Sequence, residues 1–148
     1  MVDRVYTVVP NQWLERSSMG AIAMTRPAGP SLGITFLYYR DLDRAVAFYE
    51  TVLGFTLAID QGWSKIYRVT GAAHVGLVDE TRGMHRASDP KPVQICIRVP
   101  DVDAWHAWVA AHGVGGLTPV KDSPALKIRA FVFDDPEGYQ IEVQSALD

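Results

Sequence analysis

Apolar and polar positions along the chain follow two alternating periods. Ile34 to Asp41 (ITFLYYRD) and Gln94 to Asp101 (QICIRVPD) are strand-like runs, each ending on an aspartate. After each aspartate the period lengthens to that of a helix, in DLDRAVAFYETVLG from Asp41 and DVDAWHAWVAAHG from Asp101. Leu42, Ala45, Val46, Tyr49, Val52 and Leu53 form one apolar stripe at helical spacing. Val102, Trp105, Trp108 and Val109 form the second. Asp41 and Asp101 stand where a side-chain oxygen can accept from the free N–H groups of the first turn. Gly54 and Gly113 stand where a helix ends on a left-handed residue.

These passages are an internal repeat at an offset of sixty residues. Asp41 matches Asp101, Asp43 matches Asp103 and Ala47 matches Ala107. Three further strands follow each helix. The first set lies near Phe55 to Ile59, Ser64 to Val69 and His74 to Val78; the second near Leu117 to Val120, Ile128 to Asp134 and Tyr139 to Gln144. Asp135-Pro136-Glu137-Gly138 is a turn in which Pro fixes φ and Gly supplies positive φ, and Thr70-Gly71 is a shorter one. The unit is therefore βαβββ used twice, and the fold class is α+β. One such half would struggle to bury a core alone, while two together can.

The expected organisation is a single domain over residues 33–148. Its modules span 33–79 and 93–145 and are joined by a polar linker at 80–92. Residues 1–32 lack a consistent period, and Arg26-Pro27-Ala28-Gly29-Pro30 suits neither helix nor central strand. They read as an N-terminal extension, poorly structured or upstream of the native start, with Met24 a natural beginning for the folded unit.

Composition narrows the classes. Apolar residues are 48% and charged residues 21% of the chain, enough apolar surface to offset the entropy of ordering. Lys+Arg 14 against Asp+Glu 17 gives a net charge of −3 and no basic run, which argues against nucleic acid as a partner. The single cysteine, Cys96, excludes an intrachain disulfide and a cysteine-rich zinc site. No apolar run reaches the length of a membrane span, and the N-terminus matches a signal peptide poorly. A cytoplasmic protein without a membrane partner is expected.

Alternation sorts the strand side chains. Ile95, Ile97 and Val99 share the face expected to carry a helix, leaving Gln94, Cys96 and Arg98 on the other. Ile141 and Val143 oppose Gln140, Glu142 and Gln144 in the same way. In the first half Ile34, Phe36 and Tyr38 are the inner positions. The resulting surface, aromatic on one side and polar on the other, suits a cavity for a small amphipathic organic molecule. Phe36, Tyr38 and Trp63 are candidates to stack on a planar ligand, with core packing as the alternative. His74, inward on a strand, is a hydrogen-bonded wall residue or a general base. Glu142 is a general base or the partner of Arg98, and Cys96 is a small wall residue or a nucleophile. His85, beside Arg82 and Arg86, belongs to a solvated loop or folds over the mouth onto an anionic ligand. His112 offsets the C-terminal dipole of the second helix.

ITFLYYRDLDRAVAFYETVLGF, VQICIRVPDVDAWHAWVAAHG and FDDPEGYQIEVQ resemble the vicinal oxygen chelate superfamily, also called the glyoxalase/bleomycin-resistance/dioxygenase superfamily, over Gly33 to Ser145. The resemblance implies that the two modules curve into a mixed sheet, an open cup around a site, and that the protein is a homodimer. Family enzymes place His or Gln seven residues before the aspartate that opens each helix. Gln94 matches, and Ile34 does not. They place Glu on the final strand of each module. Glu142 matches, and Gly76 does not, while His74 lies two residues earlier on the same face. A metal-dependent lyase, dioxygenase or transferase would therefore hold divalent Zn, Ni, Mn or Fe on His74, Gln94 and Glu142, with Glu142 or His74 as its catalytic base. Gln94 and Glu142 alone would bind metal weakly. The favoured expectation is a small-molecule binding or sequestering protein with no cofactor, its ligand touching Phe36, Tyr38, Trp63, Cys96, Arg98 and Gln140. An accessory module without its own ligand is the third possibility.

Overall fold

A computed structural model describes residues 25–147. The expectation for residues 1–24 lies outside the described residues. The chain runs β1 (Gly33–Tyr39), α1 (Leu42–Thr51), β2 (Thr56–Asp60), β3 (Ser64–Thr70), β4 (Ala73–Asp79), β5 (Gln94–Arg98), α2 (Val102–Ala111), β6 (Lys121–Ser123), β7 (Ile128–Asp134) and β8 (Gln140–Ala146). The strands form two four-stranded sheets, ordered β1-β4-β3-β2 and β5-β8-β7-β6. In each sheet the first and last strands of the module pair in parallel, and the others pair antiparallel. This is the βαβββ unit twice, with one helix per sheet.

Both helices begin as the sequence requires. Asp41 accepts from the Arg44 N–H at 3.0 Å, and Asp101 accepts from the Ala104 N–H at 2.9 Å. Each cap satisfies a donor that has no partner within its helix. Gly54 and Gly113 follow the two helices at φ +67° and +65°, a conformation that costs any other residue its Cβ clearance.

The core lies between the helices and the helix-facing side of the sheets. Leu37, Tyr39, Ala45, Tyr49, Leu77, Val109, Phe133, Ile141 and Val143 are all buried in it. Trp108 is the exception to its stripe. It is 49% exposed, because its indole N–H leaves the core to donate to the Val52 carbonyl at 2.9 Å, joining α2 to the end of α1. The fourth strand pair also departs from expectation. β6 occupies Lys121–Ser123 instead of Leu117 to Val120. The earlier stretch does run along β7, through a Gly115–Asp134 bridge and a bond from the Thr118 N–H to Val132 O. Gly116 at φ +65° and Pro119, which has no N–H, keep it from a regular ladder.

The β7–β8 turn ties the modules together. Asp135 is 5% exposed and accepts from the hydroxyls of Tyr39 and Tyr49 and from the N–H groups of Glu137 and Tyr139. The Tyr139 hydroxyl accepts from the Tyr38 N–H at 3.0 Å and donates to the Tyr38 carbonyl at 3.2 Å. The Glu137 carboxylate accepts from the N–H groups of Arg40 and Asp41, just before α1.

Candidate ligand-binding site

Leu37 and Tyr39 take the core-facing positions of β1, so Ile34, Phe36 and Tyr38 fall on the sheet face away from α1. Register then places His74 opposite Ile34, Gly76 opposite Phe36 and Val78 opposite Tyr38. On β3 the same face carries Ser64, Ile66 and Arg68, opposite Val78, Gly76 and His74.

The middle of this face is filled by an aromatic ring. A Cβ added at Gly76 would stand 2.4 Å from the Phe36 ring, so the ring packs over the bare backbone of β4. The upper end is covered by the linker. A Cβ at Gly83 would stand 2.5 Å from Val78 and 2.7 Å from the Tyr38 ring, and the His85 ring meets Tyr38 edge-on at 5.2 Å. The linker thus lies across the Tyr38–Val78 end, with His85 on an aromatic ring.

The lower end is open. A cavity of about 330 Å³ is lined there by Leu32, Ala58, Ile59, Ile66, Arg68 and His74, with Ser31, Gly71 and Ala72 completing it. The volume is at the small end of the range for organic ligands. His74 is buried, and its Nδ1 lies 3.1 Å from the Ala72 carbonyl. A carbonyl can only accept, so Nδ1 carries a proton, and in the neutral ring Nε2 then holds the lone pair. Arg68 is exposed, and among the described residues its guanidinium makes no ion pair. Among the described residues no carboxylate lines this cavity.

The second sheet has a different lining. Gln94 donates to Gln140 at 2.6 Å, and Arg98 donates to Gln144 at 2.9 Å. The Gln144 amide in turn donates to Glu142 at 3.0 Å and to Cys96 Sγ at 2.8 Å. The expected pairing of Arg98 with Glu142 is therefore corrected. Register stands Arg98 opposite Gln144 and Glu142 opposite Cys96, so the amide takes the guanidinium. Gln94, Cys96, Arg98, Gln140 and Glu142 are together on this face.

Trp63 is elsewhere. It sits at the β2–β3 turn and lines a recess with Arg40, Leu42 and Asp43 at the start of α1. His106 bonds the Thr118 carbonyl at 3.0 Å, and His112, on the last turn of α2, bonds the Trp108 carbonyl at 2.8 Å. Arg68 was missed in the sequence. Its signal is the alternation Ser64–Ile66–Arg68, which the short Thr70-Gly71 turn folds back onto His74.

The expected metal donors are divided between the two sheets, His74 on β4 and Gln94 and Glu142 on β5 and β8. The cavity that His74 lines is bounded by residues 31–74. The place that corresponds to Glu142 in the first sheet is Gly76, under the Phe36 ring. Among the described residues no three His, Cys, Asp or Glu side chains gather into a metal-binding group.

A chain of two βαβββ modules, each a mixed four-stranded sheet with one helix, defines a known class. The model of the Glyoxalase/Bleomycin resistance protein/Dioxygenase superfamily matches residues 31–143, and the chain belongs to that family. No curated protein matches it. Among solved structures it is similar to a lactoylglutathione lyase from Agrobacterium tumefaciens, at 24% identity over 81% of this chain and 96% of that one, with a TM-score of 0.62. It is also similar to TnmS3, an antibiotic binding protein from Streptomyces sp. CB03234, at 25% identity over 82% of this chain and 99% of that one, with a TM-score of 0.66. A glyoxalase/bleomycin resistance protein/dioxygenase from Nocardioides shares the fold at 21% identity over 86% of this chain and 88% of that one, with a TM-score of 0.66. No helix among the described residues is long and apolar enough to cross a membrane.

Proposed function

We propose that this chain binds or sequesters a small organic molecule, as a cytoplasmic homodimer and without a resident metal. The observation that carries the reading is the cavity of about 330 Å³ on the first sheet, with apolar walls from Ile59 and Ile66 and polar groups at one end. Such a box removes apolar surface from water, while a few fixed polar groups orient the guest. Phe36 stands on the same sheet face, and its exposed ring offers a surface for stacking. The polar face of Gln94, Cys96, Arg98, Gln140 and Glu142 is the second ligand-contacting surface of this reading. The likeness to an antibiotic binding protein supports it.

Native mass spectrometry of protein purified without chelator tests the proposal, together with thermal shift across a metabolite and antibiotic library. A co-purified organic molecule, or a rise in melting temperature with one compound class, is the expected outcome. Near-stoichiometric Zn, Ni, Mn or Fe that disappears in Glu142→Ala would overturn it in favour of a metal-dependent lyase, dioxygenase or transferase.

A further inference from the structure

We infer that the guest of the first-sheet cavity is an amphipathic monoanion, a carboxylate or an equivalent weak acid, held at its acidic head by Arg68. This rests on the small-molecule reading above and adds the chemistry of the ligand. Three observations lead to it. Among the described residues Arg68 is the only charged one lining the cavity. The chain carries a net charge of −3, yet among the described residues no carboxylate stands in the cavity wall against this cation. Across the β3–β4 ladder Arg68 stands directly opposite His74, so the two polar groups converge at one end of a mainly apolar box.

The geometry selects among ligand types. A guanidinium presents a planar fork of donors that matches two carboxylate oxygens. A cationic guest would be repelled by it, and a neutral one would cover the guanidinium without supplying a charge in return. His74 has its Nδ1 tied to the Ala72 carbonyl, which leaves Nε2 to accept from a hydroxyl on the ligand. The hydrocarbon body then lies along Ile66 and Ile59 toward the Phe36 ring. Arg68 is exposed before binding, so it pays no burial cost while the site is empty.

The test uses two probes of equal shape, 2-naphthoate and 2-naphthamide, titrated calorimetrically into the full chain and into Arg68→Gln. The acid should bind at least about tenfold more tightly than the amide to the unaltered chain, and Arg68→Gln should bring the two within about threefold by weakening the acid alone. A thermal melt of Arg68→Gln should match that of the unaltered chain, because the side chain has no ion-pair partner to lose. Equal affinities in the unaltered chain, or an equal loss for both probes in Arg68→Gln, overturn the anion inference and leave the small-molecule reading standing. Failure of both probes, with an uncharged molecule found by native mass spectrometry, also overturns only the anion inference. Failure of both, with nothing co-purified and no compound of the library raising the melting temperature, overturns the small-molecule reading as well.

Discussion

The Tyr39 hydroxyl donates to the Asp135 carboxylate at 2.6 Å, and the two residues belong to different modules. Tyr49 adds its hydroxyl to the same oxygen at 3.4 Å. Burial pushes the Asp135 carboxyl up, and the hydrogen bonds from Tyr39, Tyr49 and the backbone pull it partly back. A buried carboxylate is tolerable only when its lone pairs are occupied. Tyr39→Phe removes the shortest of these donors. Stability to urea should fall by roughly 1–3 kcal/mol, the usual cost of leaving a buried acceptor short of a partner. An unchanged midpoint would show that the bond does not hold the modules together.

The same cluster sets the alkaline limit. Burial holds the Tyr39 and Tyr49 hydroxyls well above the ordinary tyrosine value of 10.0, and Asp135 nearby adds to the effect. The folded state therefore keeps protons that the unfolded chain releases. Stability from these groups is complete below about pH 10 and is lost as pH rises beyond it, by at most about 1.4 kcal/mol per pH unit for each tyrosine. Asp135 has the same sign at lower pH, because its folded value also lies above the unfolded one. Chemical denaturation from pH 8 to 12 should show the alkaline fall, with a shallower slope in Tyr39→Phe. Equal slopes would contradict this account.

Helix capping gives a matched pair of tests. Asp41→Ala and Asp101→Ala each leave an amide of the first turn without its side-chain acceptor. Each should cost roughly 0.5–2 kcal/mol, and the Asn variants much less, since Asn also caps. The comparison is made by thermal or urea unfolding of the four variants.

Gly76 and Phe36 should be coupled. Gly76→Ala drives a methyl group into the Phe36 ring, which must then swing outward. The ring is 46% exposed, so it has room to move, and the expected cost is modest, on the order of 1 kcal/mol. In a Phe36→Ala background the same substitution should be nearly neutral, and a double-mutant cycle reads the difference. Additive effects would place the ring elsewhere.

Elements whose signals are local were legible in the sequence. Asp41, Asp101, Gly54 and Gly113 mark both helix ends by capping and left-handed φ, which depend on neighbours a few residues away. Strand β7 matched its expected limits because Phe131 and Phe133 alternate cleanly into the core. The site was legible only in part. Alternation assigned Phe36, His74 and Glu142 to the face away from the helices, but it could not show that the Phe36 ring covers Gly76. Arg98 was assigned the wrong partner, because the choice between Glu142 and Gln144 is made by register across two strands. Asp135 read as a turn residue, since its tyrosine partners lie 86 and 96 positions away. Trp63 shares an aromatic character with Phe36, yet the β2–β3 turn sends it to the start of α1.

The linker across Tyr38 and Val78 gives the first-sheet cavity a direction of traffic. Gly83 and His85 lie over the Tyr38–Val78 end of the sheet face, whereas the Gly71-Ala72 turn, with Ser31 and Leu32, lines the cavity at the other end. On the proposed reading a guest enters tail first and leaves head first. On that reading its residence time depends on Ser31 and Leu32, in the short stretch that precedes β1, which the repeat does not duplicate.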